Sequence, residues 1–221
     1  TPSVSAINVL NQSNKQSCPI IGNVEKAATL TQLDKTNRLL AQTFVAVEDK
    51  RFYDHHGIDV HALGRAIFKD VSTLSKTEGG STITMQVARN EIMHNAEKTW
   101  KRKLTEMLIA WNLENQCDKN EILQSYLNHI YFGESAYGIR QAAITYFGID
   151  PVKGKLTPYQ IALLAGLPRG PNYYDPYLDP HAAKLRRNTV LSLMAEQHLI
   201  TQSEAHAYEK LPLGVILHHQ A

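Results

Sequence analysis

The stretch Phe44-Val45-Ala46-Val47-Glu48-Asp49-Lys50-Arg51-Phe52-Tyr53-Asp54-His55-His56-Gly57 runs apolar, then abruptly presents acids, bases and aromatics ahead of a glycine. That pattern reads as a core helix ending at a cleft. Leu39, Leu40, Thr43, Phe44 and Val47 make its apolar face, and the helical period continues outward. Asp59 can cap a helix carrying Val60, Leu63, Ile67, Phe68, Val71 and Leu74. A long helix from about Ala96 to Asn115 sets Trp100, Leu104, Leu108 and Trp111 on one side. Asp118 with Glu121 has capping-box character and opens a helix with Ile122, Leu123, Tyr126, Leu127 and Ile130 inside. Thr157-Pro158 and Asp179-Pro180 each put proline at a first helical position, the second leading from His181 to about His198. Thr201 and Glu204 box a last helix that ends near Gly214. Period-2 alternation is hard to find, so the sequence predicts a mainly α fold with at most a small hairpin. Residues 1–25, rich in Ser, Asn, Gln and Thr, read as a loosely ordered lead-in, and residues 26–221 as a single domain.

The 221 residues suffice for one large domain or two lobes on one core, and 43% hydrophobic content is that of a globular protein. A net charge of +2, with no basic run longer than Lys101-Arg102-Lys103, is too small to argue nucleic-acid binding, and none is expected. No run of apolar residues is long enough to span a bilayer. A start at Thr1 without methionine suggests a trimmed chain from which a targeting or anchoring segment was removed. Cys18 and Cys117 have no metal-ligand spacing and read as unpaired and inert, with a single disulfide as the alternative. The ten histidines contain no His-Glu-x-x-His, so zinc catalysis is not expected.

Five groups of residues could carry chemistry. Glu48, at the end of an apolar helix, suits a general base if partly desolvated; otherwise it pairs with Lys50 or Arg51. Gly79-Gly80-Ser81-Thr82 is a turn feeding a helix, whose free N–H groups suit a phosphate or pyrophosphate, with Gln86 and Arg89 on the helix behind it. The alternative is a plain turn with Ser81 as N-cap. Arg102 and Glu106, four apart on the next helix beside Lys103, also describe a surface ion pair. Asn128, Tyr131 and Gly133 end a helix in an aromatic-polar turn, and Arg169 sits in a stiff Pro-Arg-Gly-Pro loop.

In combination these segments resemble the peptidoglycan glycosyltransferases of glycosyltransferase family 51. The matches are Glu48-Asp49-x-x-Phe52-x-x-His55-x-Gly57, Gly79-Gly80-Ser81-Thr82-Ile83-Thr84-x-Gln86 and Arg102-Lys103-x-x-Glu106. They continue with Tyr126-Leu127-Asn128-x-Ile130-Tyr131-Phe132-Gly133 and with Ala162-Leu163-Leu164-Ala165-Gly166-Leu167-Pro168, running on to Arg186-Arg187. The resemblance implies a lysozyme-like helical fold with a head lobe and a smaller membrane-touching jaw, here about residues 58–78. It implies polymerisation of glycan strands from lipid II at the extracytoplasmic face of the bacterial inner membrane, with the membrane surface and a cell-wall synthesis complex as further partners.

Carried onto this chain, the resemblance makes Glu48 the general base and Glu106 the second acid, near the leaving diphosphate. Asp49, Phe52, His55, Gly80, Ser81, Thr82, Gln86, Arg89, Arg102, Lys103, Asn128 and Arg169 would bind substrate. No cofactor is required, although Glu106 could hold a divalent cation, Mg or Mn. Met85 stands where many members carry glutamine, and Arg89 where lysine is common. The long extension that carries a transpeptidase in bifunctional members is missing, which points to a monofunctional enzyme or an excised domain. Two rivals remain: a glycan-cleaving enzyme on a similar helical fold, and a non-catalytic module that binds lipid II.

Overall fold

Helix after helix begins at a side-chain cap that the sequence spells out, in a computed structural model that describes residues 18–20, 28–64, 80–93 and 100–216. Thr29 accepts from Gln32 N–H while Gln32 Oε1 accepts from Thr29 N–H, opening α1 (Leu30–Thr36). α2 (Leu39–Glu48) follows, and residues 60–64 are helical behind Asp59, which accepts from the N–H groups of His61 and Ala62. α3 (Ile83–Val87) passes directly into a π-helix, Ala88–Met93. α4 spans Trp100–Gln116 and α5 Lys119–His129, the latter opened by reciprocal Asp118–Glu121 bonds at 2.8 Å. α6 (Ile139–Phe147), α7 (Pro158–Gly166) with the 3-10 turn Leu167–Arg169, α8 (Pro180–Glu196) and α9 (Gln202–Glu209) complete the order.

The mainly α reading holds. Among the described residues the only extended pairings are two isolated bridges, His56 with Ile58 and Tyr131 with Tyr137. Two details differ from expectation. α9 stops at Glu209 rather than near Gly214, because Leu211 and Pro212 turn away and give their carbonyls to Arg187. α6 has no counterpart in the sequence reading. Most of the helix expected from Val60 to Leu74, most of the lead-in, and residues 96–99 of the long helix lie outside the described residues.

The chain clusters into two compact units, residues 1–23 with 48–126 and residues 24–47 with 127–221. In the first, α3 packs on α4, and Phe52, Ile83, Met85, Ile109, Ala110, Leu113, Ile122 and Tyr126 are buried. In the second, α8 packs on α7 and α9, while Phe44 and Phe132 meet edge to face at 5.9 Å. Arg187 is fully buried there, its charge answered by the carbonyls of Glu209, Leu211 and Pro212 and by Asn188. A buried guanidinium so fully bonded is structural.

Cys18 and Cys117 form a disulfide, 99 residues apart in sequence, which corrects their reading as unpaired thiols. Both sulfurs belong to buried residues of the first unit.

Candidate active site

The first unit gathers most of the residues singled out above. Glu48 is the last residue of α2 and is half-buried. Arg51, one of the partners expected for it, makes a two-point bond to Asp59 at 2.6 and 3.0 Å. The Glu48 carboxylate accepts from Gln86 Nε2 at 3.1 Å, so the end of α2 is tied to α3. The next residue, Asp49, is buried and accepts from His55 Nε2 at 2.9 and 3.0 Å and from the Ile83 N–H at 2.9 Å. Lys119 donates to the His55 carbonyl at 2.7 Å and lies 4.5 Å from the centre of the fully buried Phe52 ring. Asp49, Phe52 and His55 thus form a packed frame behind Glu48.

The turn before α3 is built differently from the expectation. Thr82, not Ser81, is the N-cap: its hydroxyl accepts from Met85 N–H at 3.1 Å and donates to the Gly57 carbonyl at 2.7 Å. The Ile83 and Met85 N–H groups are thereby engaged within the protein, by Asp49 and Thr82. Ser81 instead accepts from the Lys103 ammonium, and Gly80 is half-buried beside it, while Gly79 lies outside the described residues. Met85 is packed in the core, 1% exposed, which explains how an apolar side chain stands there.

On α4, Glu106 is 0% exposed. Arg102 Nη1 donates to its Oε1 at 2.8 Å, and the Lys103 ammonium stands 3.6 Å from its Oε2. The surface ion pair of the sequence reading is therefore a buried one. Desolvation lowers the Lys103 pKa; Glu106 works against that fall, while Arg89 and Arg102 add to it. Two cations thus flank one buried acid.

Arg89 belongs to the same unit. It sits in the π-helix, a widened turn of a kind often found at functional sites. Its field reaches Lys103, and it also reaches Tyr126, whose pKa is raised by complete burial and by Glu48 and Asp49, with Arg89 opposing. Tyr126 is core, as the sequence reading had it, yet within the electrostatic reach of Glu48, Asp49 and Arg89; its place in the Tyr126-Leu127-Asn128 segment was the available signal.

Two expected residues belong to the second unit. Asn128 closes its carboxamide on the backbone of Ala28, accepting from the N–H at 3.0 Å and donating to the carbonyl at 2.9 Å. Arg169 is exposed at the end of the 3-10 turn.

A profile of the family described as Transglycosylase matches residues 16–195. Penicillin-binding protein 1F of Bacillus subtilis is 39% identical over 96% of this chain and 29% of its own length. Penicillin-binding protein 1A/1B of the same organism is 43% identical over 83% of this chain and 20% of its own. For penicillin-binding protein 1A of Haemophilus influenzae the figures are 40%, 90% and 23%. A crystal structure of that Haemophilus protein superposes with a TM-score of 0.41 at 28% identity, covering 62% of this chain and 16% of the other. The chain spans less than a third of the length of each of these relatives. By the extent of the profile match and the identities along it, this chain belongs to the transglycosylase family.

Proposed function

We propose that this chain polymerises peptidoglycan glycan strands from lipid II. The observation that carries the reading is one acid held by an amide and a second, buried acid clasped by cations, in the same unit: Glu48 with Gln86, and Glu106 with Arg102 and Lys103. Glu48 takes the proton from the 4-hydroxyl of the acceptor N-acetylglucosamine as that oxygen attacks the anomeric carbon of the growing strand. The bond from that carbon to the undecaprenyl diphosphate breaks, and a β-1,4 bond forms with inversion. Negative charge develops on the departing diphosphate, and Arg89, Arg102 and Lys103 are the cations this reading assigns to meet it. Glu106 keeps Arg102 and Lys103 together against their mutual repulsion. Hydrolysis of a sugar–sugar bond has no need of such a cationic clamp, which disfavours the glycan-cleaving rival.

The donor set at Glu106 suits cations better than a protein-held metal. One oxygen is engaged by Arg102, the other faces Lys103, and Glu106 is in no group of three or more His, Cys, Asp or Glu ligands among the described residues. The metal-sized His/Cys/Asp/Glu trio among those residues is Cys18, Cys117 and Glu121, whose sulfurs are bonded to each other.

The disulfide supports an oxidising compartment outside the cytoplasm, where the substrate's sugar portion is displayed. No described helix is long and apolar enough to cross a membrane. The membrane surface and a cell-wall synthesis complex are the expected surroundings.

The test is a lipid II polymerisation assay on the wild type and Glu48→Gln, with and without chelator. Glycan strands from the wild type and none from the variant support the reading. Near wild-type product from Glu48→Gln would sink it, as would release of soluble muropeptides from sacculi without polymer formation.

A further inference from the structure

An ion pair closes the corner between α4 and α5. Glu114, in the last turn of α4, and Lys119, the first residue of α5, meet at 2.7 and 2.8 Å. Their side chains are 3% and 22% exposed, so the pair is largely withdrawn from water. Replacing such a pair by apolar residues of similar volume is often neutral or stabilising, because desolvation of both ions offsets their attraction. Stability alone is therefore a poor account of a buried pair at this place. What each ion touches is a better one.

The two partners reach the two segments that hold Glu48. The Lys119 ammonium donates to the His55 carbonyl at 2.7 Å and stands 4.5 Å from the centre of the Phe52 ring, a favourable place for a cation. Phe52 and His55 lie on the segment that leaves Glu48 directly through Asp49. Glu114 reaches α3 instead: the fully buried Thr84 donates its hydroxyl to Glu114 Oε1 at 2.6 Å. Two residues on, Gln86 holds the Glu48 carboxylate. A second tie between the same two segments is the bond from the Ile83 N–H to Asp49.

An ammonium only donates and a carboxylate only accepts, so this run has a single arrangement: Thr84 and Lys119 give to Glu114, and Lys119 gives to the His55 carbonyl. We infer that Glu114 and Lys119 are positioning residues for Glu48. They act through Thr84 and the Phe52–His55 segment, keeping the backbone that carries the acid in register with the helix that carries its amide partner. As a statement about rate this rests on the proposed function, since a base displaced by an ångström from the hydroxyl it serves loses up to about 10²-fold.

Two variants test it: Lys119→Met/Glu114→Gln, which leaves no charge buried alone, and the milder Thr84→Val, which removes one hydroxyl. The expected fall in kcat for lipid II polymerisation is about tenfold for the first and about threefold for the second, with KM within about twofold of wild type. Combined with Gln86→Leu, the losses are expected to be less than multiplicative, because all act through one carboxylate. Wild-type kcat in the double variant would overturn the inference. A loss that appears in KM, or that multiplies with that of Gln86→Leu, would overturn it too, as the mark of a general structural effect. Amide hydrogen exchange needs no substrate: peptides covering 49–57 and 83–87 are expected to exchange several-fold faster in the double variant, with 158–209 unchanged. Unchanged exchange at both peptides overturns the inference even where the wild type makes no polymer, an outcome that sinks the polymerase reading alone.

Discussion

Gln86 Nε2 donates to Glu48 Oε2 at 3.1 Å, a bond between residues 38 apart that ties the end of α2 to the middle of α3. The bond fixes the plane of the carboxylate proposed as base. Glu48→Gln is expected to lower polymerisation about 10²–10⁴-fold, the usual worth of a general base, with the melting temperature little changed. Gln86→Leu keeps the base and loses its aim, so kcat falls about tenfold with KM nearly constant. Steady-state kinetics on lipid II separates the two.

Lys103 and Glu106 give an alkaline limb. Burial lowers the Lys103 pKa from 10.5, so its charge is lost earlier on raising pH than an exposed lysine's would be. KM for lipid II is expected to rise along that limb, and Lys103→Arg should move the limb upward. Glu106→Gln removes the acid between two cations; breaking a buried pair costs roughly 3–5 kcal/mol, read from the denaturant midpoint.

Gly57 adopts φ +76°, and a Cβ there would lie 2.7 Å from the Ala110 carbonyl carbon and 2.8 Å from the Trp111 nitrogen. Both neighbours are helix backbone and cannot yield. Gly57→Ala should destabilise the first unit by roughly 2–4 kcal/mol, seen as an earlier thermal transition.

Asp59 sets an acid limit. Burial opposes its ionisation, but the Arg51 guanidinium and the Ala62 and His61 N–H groups prevail and lower its pKa from 3.8 to about 2. A depressed carboxylate stabilises the fold fully above its unfolded pKa, and that share fades as pH falls from near 4 toward 2. Asp59→Asn should flatten the fall in stability over this window in acid titrations followed by circular dichroism.

Reduction of Cys18–Cys117 opens a cross-link between residues 99 apart. On the chain-entropy account such a loop is worth about 4–5 kcal/mol. A Cys18→Ser/Cys117→Ser protein should melt well below the oxidised wild type and match the reduced one.

Helix starts were legible where two side chains cap reciprocally, as Asp118 and Glu121 or Thr201 and Glu204 do, because both partners lie within four residues. α6 was not: its N-cap, Gly138, has φ +80° and no side-chain bond, a device without a sequence signature. The Cys18–Cys117 bond and the bracing of Asp49 by Ile83 depend on long-range closure, which local pattern does not report. The acids of the site were visible through their segments. What was not visible is that Arg102–Glu106 is buried, since an i,i+4 pair looks the same on a surface.

The disulfide also gives the first unit a covalent topology. Glu48, Gln86, Arg89, Arg102, Lys103 and Glu106 all lie on the chain between Cys18 and Cys117, inside one closed ring. A protease that cuts once anywhere in that ring leaves both halves of the proposed site attached to each other. The nicked chain would run as one band without reductant and as two with it, and the acid and its cations would still be delivered as a single molecule.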